Sequence, residues 1–486
     1  MTLELASSEL VNRRGYIGGE WTTARSGKEM DVRNPATGEL LTRVADMSGE
    51  DAASAIAAAA HAFSSWKFSL ASERAAVLKN WNRLLLENEE VVARLMTLEQ
   101  GKPLAESRSE VRYAAAFMEW YSEEAKRLNG EILPTYDTTK RLLVVRQPVG
   151  VVGTITPWNF PAAMITRKVA PAIAAGCTVV SKPAPQTPLT ALALAYLGEK
   201  AGLPAGVFNV VPGLDAIGIA DAFTNDEHVA KISFTGSTAV GKKLMAACAR
   251  TIKRISLELG GNAPFIVFDD ANLEAAVLGA IQSKFRNTGQ TCVCANRFLV
   301  HRKVAKAFVS RFVEAVSKLP VGNGLVAGIA QGPMISEEAV RKVEEHISDA
   351  CRKGASVLCG GQRHSLGGFF FQPTVLSDVN PSMRVASEET FGPVAPILIF
   401  ESDEQAIEIA NDTRAGLAAY FYTQSIERYW RVSERLEYGI VGHNTGLIST
   451  EIAPFGGMKE SGLGREGSHH GILDYTELKY ICSSVN

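Results

Sequence analysis

No stretch of the 486 residues stays apolar over the roughly 18 positions that a membrane span needs. Met1 to Glu20 has neither an apolar core nor a small-residue cleavage site, so a cytoplasmic protein is expected. Charge of one sign is missing as well. Fifty Lys and Arg stand against 52 Asp and Glu, a formal net charge of −2, and this leaves no basic face for nucleic acid. Cysteines are few and odd in number, seven at Cys177, Cys248, Cys292, Cys294, Cys351, Cys359 and Cys482. That excludes a disulfide framework in so long a chain and points to reduced thiols. Cys351 and Cys359 are too widely spaced for a metal-binding pair and have no histidine cluster near them, so no metal is expected. Internal repeats and low-complexity segments are absent. With 46% hydrophobic and 21% charged residues nothing suggests disorder, and the length calls for two or three lobes.

What is present is mostly alternation. Residues 51–61 and 72–100 carry Ala-rich and amphipathic helical patterns, with Leu84, Val91, Val92, Leu95 and Leu98 at helical spacing. From 149 onward, apolar runs at 149–154, 178–182 and 207–211 alternate with helical patterns at 162–176 and 187–202. A second alternation starts near Pro264 and includes 266–268, 297–301 and 396–400. Strands and helices at this period form βαβ units on parallel sheets, so the chain reads as α/β with two Rossmann-type lobes. Two further apolar stretches, 140–147 and 478–482, belong to neither lobe.

The chemistry centres on Phe285-Arg286-Asn287-Thr288-Gly289-Gln290-Thr291-Cys292-Val293-Cys294. Gly289 and two threonines around Cys292 favour a turn with free backbone N–H groups, which can hold a thiolate and later an oxyanion. The same flanks fit a small buried thiol. Upstream, Glu258 interrupts the apolar run Ser256-Leu257-Glu258-Leu259-Gly260-Gly261. A carboxyl group among Leu257, Leu259 and Phe265 is partly desolvated, which raises its pKa toward the range of a general base; a solvated edge carboxylate is the alternative. In Thr156-Pro157-Trp158-Asn159-Phe160-Pro161 two prolines fix the backbone around Asn159, an amide placed either as an oxyanion donor or in a packed loop. Phe234-Thr235-Gly236-Ser237-Thr238-Ala239-Val240-Gly241 lies between a strand and a helix, where N–H groups and the positive helix end suit a pyrophosphate.

Taken together and in this order, these segments, with Glu388-Glu389-Thr390-Phe391-Gly392-Pro393, resemble the aldehyde dehydrogenase superfamily over nearly the whole chain. Within it the chain is most similar to succinate-semialdehyde dehydrogenases, on Lys284 to Asn296 and on Pro454-Phe455-Gly456-Gly457. The resemblance implies a cofactor-binding domain at 1–128 and 149–259 and a catalytic domain at 260–465. It makes 129–148 and 470–486 a small bridging β segment for oligomerisation, giving a homotetramer or dimer. It implies Cys292 as nucleophile, Glu258 as the base that hydrolyses the thioester, and Asn159 as oxyanion donor. NADP or NAD would lie against Thr156, Trp158, Gly236, Ser237 and Leu259, with Glu389 and Phe391 holding the nicotinamide ribose and ring. Lys182 would stand beside the adenosine ribose, and Pro185 occupies a position where NAD-preferring relatives often carry a glutamate. Without that carboxylate nothing repels a 2′-phosphate, so NADP is expected to be accepted.

For the substrate, Arg167 and Arg286 suit the anionic tail of an aldehyde through bidentate hydrogen bonds, and by resemblance Ser449 adds a contact. His443 stands where an aliphatic residue is expected. It is either a further donor, suiting the sulfonate of 3-sulfolactaldehyde, or a satisfied loop histidine. Succinate semialdehyde comes first, with 3-sulfolactaldehyde and glutarate semialdehyde as alternatives. The resemblance implies a proton relay through Lys168 and Glu466, with an ordinary structural ion pair as the alternative. Cys294 is either the partner of Cys292 in a strained, reversible disulfide or a spectator thiol.

Overall fold

The computed structural model describes residues 9–484, so residues 1–8 and 485–486 of the expected outer spans, with the start of the 1–20 segment, lie outside the described residues. Helical periodicity over 51–61 and 72–100 becomes three helices, Gly49–Trp66, Ala71–Glu87 and Glu89–Gln100. The second pattern breaks at Asn88, whose φ of −106° and ψ of 17° leave the helical region. Gly101 closes the third helix in the left-handed conformation, and α1 (Leu104–Glu124) follows. The buried stripe of α1, Leu104, Ser107, Val111, Ala114, Met118 and Tyr121, recurs every three or four residues, and Glu110 lies within it.

After β1 (Lys140–Pro148) the expected alternation is realised as β2 (Val151–Ile155), α2 (Ala163–Ala175), β3 (Thr178–Lys182), α3 (Pro188–Lys200) and β4 (Phe208–Val210). It continues through β5 (Val229–Thr235), α4 (Thr238–Cys248) and β6 (Arg254–Glu258). These strands lie parallel in the order β4-β3-β2-β5-β6. Helices cover both faces, which is why β3 is buried at every position. The strand order reverses between β2 and β5. Open parallel sheets bind ligands above the carboxyl ends of their strands at such a switch point.

The second lobe repeats the plan with β7 (Ala263–Val267), β8 (Ala295–His301), β9 (Val394–Phe400), β10 (Ala418–Tyr422) and β11 (Ile440–His443), parallel in the order β9-β8-β7-β10-β11. Phe265 on β7 packs against the rings of Phe298, Tyr420 and Tyr422 at its centre; truncating such a buried ring costs about 3–5 kcal/mol. A short strand, Gly462–Leu463, leaves this lobe to pair with β6, so the expected 260–465 span contributes an edge to the first sheet. Finally β12 (Thr476–Ser484) pairs antiparallel with the whole of β1, and Glu131–Leu133 adds to the other side. This small sheet stands apart from both lobes and exposes Ile132, Leu478 and Tyr480.

The two lobes meet end to end. Glu258 ends β6, and Gly260 and Gly261 turn the chain straight into β7. A Cβ on Gly261 would lie 2.3 Å from the Cys292 carbonyl oxygen, so only glycine allows this approach. The carboxyl edge of the first sheet therefore faces the amino edge of the second, with Cys292 between them, just before β8. No helix among the described residues is long and apolar enough to cross a membrane.

Candidate active site

Cys292 follows a strained turn. Asn287, Thr288 and Gly289 are all left-handed, at φ 50°, 56° and 74°, and each non-glycine residue in that region costs roughly 1–2 kcal/mol. The surroundings hold it there. The Asn287 side chain accepts from Gln100 Nε2 at 3.0 Å and donates to the Asn159 carbonyl at 3.1 Å, and its backbone N–H donates to Glu106 at 2.8 Å. Thr288 Oγ1 donates to the Gly332 carbonyl at 3.1 Å. A Cβ on Gly289 would sit 2.2 Å from the Gly392 carbonyl oxygen. Strain fixed in this way at one loop is characteristic of functional sites.

The turn brings Asn159 beside the loop of Cys292. Asn159 Nδ2 donates to the Gln290 carbonyl at 3.0 Å. The Cys292 N–H makes no hydrogen bond to a described residue, so two donors stand beside the thiol for an oxyanion. Behind Asn159 a buried Lys102–Glu110 pair fixes the loop. Lys102 Nζ donates to the Asn159 carbonyl at 2.6 Å, and Glu110 Oε1 accepts from the N–H groups of Ala162 and Ala163, which start α2.

Glu258 is 3% exposed, and neither carboxylate oxygen has a hydrogen-bond partner among the described residues. Burial holds its carboxyl well above the ordinary carboxylate range and Glu466 adds to this, while Arg167 and Lys168 work against it. Arg167 and Lys168, neighbours on α2, both form buried ion pairs with Glu466. Burial alone would raise the Glu466 carboxyl, but the two cations outweigh it and hold it low. The Cys292 thiol is pushed up to about 12, chiefly by burial and then by Glu389, with Arg167 opposing.

Two cavities meet at Cys292. The first, of about 290 Å³, is lined by Trp158, Gly236, Ser237, Glu258, Leu259, Glu389 and Phe391 at the switch point of the first sheet. Its residues fit a nicotinamide dinucleotide. Ser237 caps α4 by accepting from Val240 N–H at 3.4 Å, leaving a helix N-terminus open to phosphate. A Cβ on Gly260 would come within 2.8 Å of Glu389 Oε2, so this floor admits no side chain. The Phe391 ring stands edge-on to Trp158 at 5.7 Å, and Glu389, anchored by Gly261 N–H at 3.1 Å, is raised by burial to about 7. Thr156 leaves β2 with its N–H on the Lys182 carbonyl at 3.2 Å. Lys182 ends β3, where burial lowers its ammonium to about 8 while Asp215 and Asp46 oppose, and Pro185 follows, half-buried.

The second cavity, about 380 Å³, runs from Cys292 to Arg167, Arg286 and Ser449, so three of the expected substrate contacts converge. Arg286 makes no hydrogen bond to a described residue and lies 5.3 Å over the Phe160 ring. The Arg167 guanidinium stacks 4.0 Å from Phe455 and keeps Nη2 unpartnered. His443 is elsewhere, which corrects its reading as a substrate donor. Its Nε2 lies 3.1 Å from the Thr423 carbonyl, and its ring sits between Phe421 and Tyr429 at 4.9 and 4.8 Å, at the carboxyl end of β11. Cys294 lines neither cavity; its thiol donates to the Lys284 carbonyl at 3.5 Å, and it and Cys292 are free. Glu106, Tyr113 and Lys102 have no place in the sequence expectations, and Phe455 appears there only within a motif, with no role of its own. A carboxylate within the apolar stripe of α1 is the signal that points to that face. Among the described residues no group of three or more His, Cys, Asp or Glu is placed to hold a metal.

Residues 21–481 match the model of the aldehyde dehydrogenase family. An NADP(+) succinate-semialdehyde dehydrogenase of Escherichia coli strain K12 is 56% identical over 480 residues, 99% of each chain. A 3-sulfolactaldehyde dehydrogenase of Pseudomonas putida is also 56% identical over 480 residues and 99% of each chain. The solved structure of an NADP-dependent enzyme of E. coli superposes with a TM-score of 0.97 at 56% identity, covering 98% of this chain and 99% of the other.

Proposed function

The chain belongs to the aldehyde dehydrogenase family, and we propose that it oxidises an aldehyde bearing a terminal anion, succinate semialdehyde first, to the carboxylic acid with NADP or NAD. One observation carries this reading: Cys292 joins the dinucleotide cavity to a second cavity whose far end gathers Arg167, Arg286 and Ser449. Fixed guanidinium groups opposite a nucleophile select for a tail that is a carboxylate or a related anion.

The aldehyde enters with its anion on the arginines and its carbonyl carbon at Cys292. Glu258 takes the thiol proton, and the thiolate adds to the carbonyl while Asn159 Nδ2 and the Cys292 N–H receive the oxyanion. The bound nicotinamide dinucleotide supplies the two-electron acceptor. Glu258 gives the thiol proton up to solvent and then takes a proton from water as that water's oxygen attacks the thioester. The carbon–sulfur bond breaks, and Cys292 leaves as thiolate. A base at this position favours hydrolysis over transfer to a thiol acceptor.

Residues 1–128 and 149–259 form the cofactor lobe and 260–465 the catalytic lobe. Residues 129–148 and 470–486 form the oligomerisation segment of a cytoplasmic homo-oligomer, a reading supported by the exposed apolar side chains of that small sheet. Pro185 in place of a carboxylate favours NADP. Comparing kcat/KM for succinate semialdehyde, glutarate semialdehyde and 3-sulfolactaldehyde, each with NADP and NAD, tests the assignment. It stands if succinate semialdehyde with NADP leads, and falls if uncharged aldehydes are turned over as well.

A further inference from the structure

Each turnover converts an aldehyde, an oxidised cofactor and a water into a carboxylate, a reduced cofactor and two protons. Both protons are released at a site where Glu258 is 3% exposed, so a path to solvent is required. A Lys168–Glu466 relay would lead away from Glu258, but both of its residues are themselves buried.

The face of the first sheet beneath α2 carries a second polar row. In β5 and β6 the register sets Thr235 beside Glu258, Ser233 beside Ser256 and Lys231 beside Arg254, and Thr154 of β2 lies beside Ser233. Side chains two residues apart share one face, so Ser256 and Glu258 are about 6.6 Å apart along their strand. This face is the one that packs under α2, since Val152 and Val179, at the same alternation, belong to the α2 core while Ile232 and Val180 belong to the opposite one. The hydroxyls of Thr154 and Thr235 are buried without a partner, as are both Glu258 oxygens. Unpartnered buried polar groups are rare, and a row of them suits ordered water.

At the end of this row stands a lysine that the chemistry above does not use. Lys231 is 2% exposed, and its Nζ donates to Ser256 Oγ. Ser256 Oγ donates in turn to Asp474 Oδ2 at 2.9 Å, and Asp474, with a side chain 34% exposed, reaches solvent. Lys231 Nζ also lies 4.0 Å from Asp474 and 5.1 Å from the Tyr475 ring centre. Lys168 of the inner pair stands on α2, the helix that packs over this same face.

We propose that Lys231, Ser256 and Asp474 form the outer half of the proton exit, carrying protons from the Lys168–Glu466 pair to the surface. The bonds are already aligned for transfer. Lys231 gives a proton to Ser256 Oγ as the Ser256 hydroxyl proton passes to Asp474. Asp474 releases it to solvent, and the neutral amine takes the next proton from the Lys168–Glu466 side. Burial, which lowers the Lys231 ammonium to about 8 with Asp474 opposing, makes the neutral amine accessible near neutral pH.

The inference rests on Glu258 as hydrolytic base, and the test separates the two. Reduced cofactor is followed by stopped flow for wild type, Glu258→Gln, Lys231→Met and Asp474→Asn, with the anionic aldehyde that the wild type turns over best. The relay predicts that Lys231→Met and Asp474→Asn keep the first-turnover rate but lose about tenfold in steady-state rate. A burst approaching one equivalent per site should then appear, with a larger solvent deuterium effect and recovery of turnover by added imidazole. Asp474→Asn lies at the surface, so it answers even if Lys231→Met does not fold. Unchanged steady-state rates in Asp474→Asn, or a first turnover that slows in parallel without imidazole rescue, overturn the proposal. If Glu258→Gln itself turns over normally, the base assignment has failed instead.

Discussion

The Asn159 side chain donates to the Gln290 carbonyl at 3.0 Å, while the Asn159 carbonyl accepts from Asn287 at 3.1 Å and from Lys102 at 2.6 Å. Asn159 is thus tied to the loop of Cys292 from both ends, and as the proposed oxyanion donor it would need little reorganisation during reaction.

Asn159→Ala should lower kcat by about 10²–10³-fold, the usual loss for one oxyanion donor. KM should change little, because the anion pocket lies at the other end of the cavity. Steady-state kinetics beside a thermal melt check this: a fall in kcat matched by unfolding would assign Asn159 a packing role only.

Glu258 is held above the ordinary carboxylate range by burial and by Glu466, so it is protonated and inactive as a base at low pH. Turnover should rise with pH as Glu258 ionises, with a midpoint above that of an exposed glutamate. Glu258→Gln should remove this limb and slow turnover with it. A pH–kcat profile with the same limb in both proteins would contradict the assignment.

The two arginines should behave differently. The Arg286 side chain has no acceptor among the described residues, so Arg286→Ala should weaken kcat/KM for the anionic aldehyde by about tenfold or more while the melting temperature holds. Arg167 is 1% exposed and paired with Glu466. Arg167→Ala leaves Glu466 with Lys168 as its one buried cation, which should cost about 1–3 kcal/mol of stability. Denaturant titration of both variants distinguishes them; equal destabilisation would mean that Arg286 is also structural.

Pro185→Glu places a carboxylate beside the expected 2′-phosphate position and should shift preference from NADP to NAD by about tenfold or more. The ratio of kcat/KM values for the two cofactors measures it, and an unchanged ratio removes Pro185 from cofactor choice.

Much of this site was legible because its chemistry sits in contiguous motifs. The turn before Cys292, the apolar strand ending in Glu258 and the prolines around Asn159 each carry a local backbone reason for their role, and the βαβ period located β2, β3 and β4 to within a few residues. His443 misled because its departure from an aliphatic residue says nothing of direction. Only the tertiary fold shows its ring held between Phe421 and Tyr429. Glu106 and Glu110 went unseen because charged residues on an amphipathic helix ordinarily face solvent, and Lys102 because a lysine in the short loop before α1 ordinarily does too; the Lys102–Glu110 pair is buried only once α1 packs against α2. The left-handed run at Asn287 and Thr288 is likewise imposed by partners distant in sequence, Gln100, Glu106 and Gly332.

The most direct test of the account compares kcat/KM for succinate semialdehyde with that for butanal, an uncharged aldehyde of the same chain length, in wild type and Arg286→Ala. A fixed charge–carboxylate contact of about 1.5–3 kcal/mol predicts a wild-type preference of roughly ten- to a hundredfold for the semialdehyde, largely lost in the variant. Equal values for the two aldehydes in the wild type would contradict an anion-selecting site.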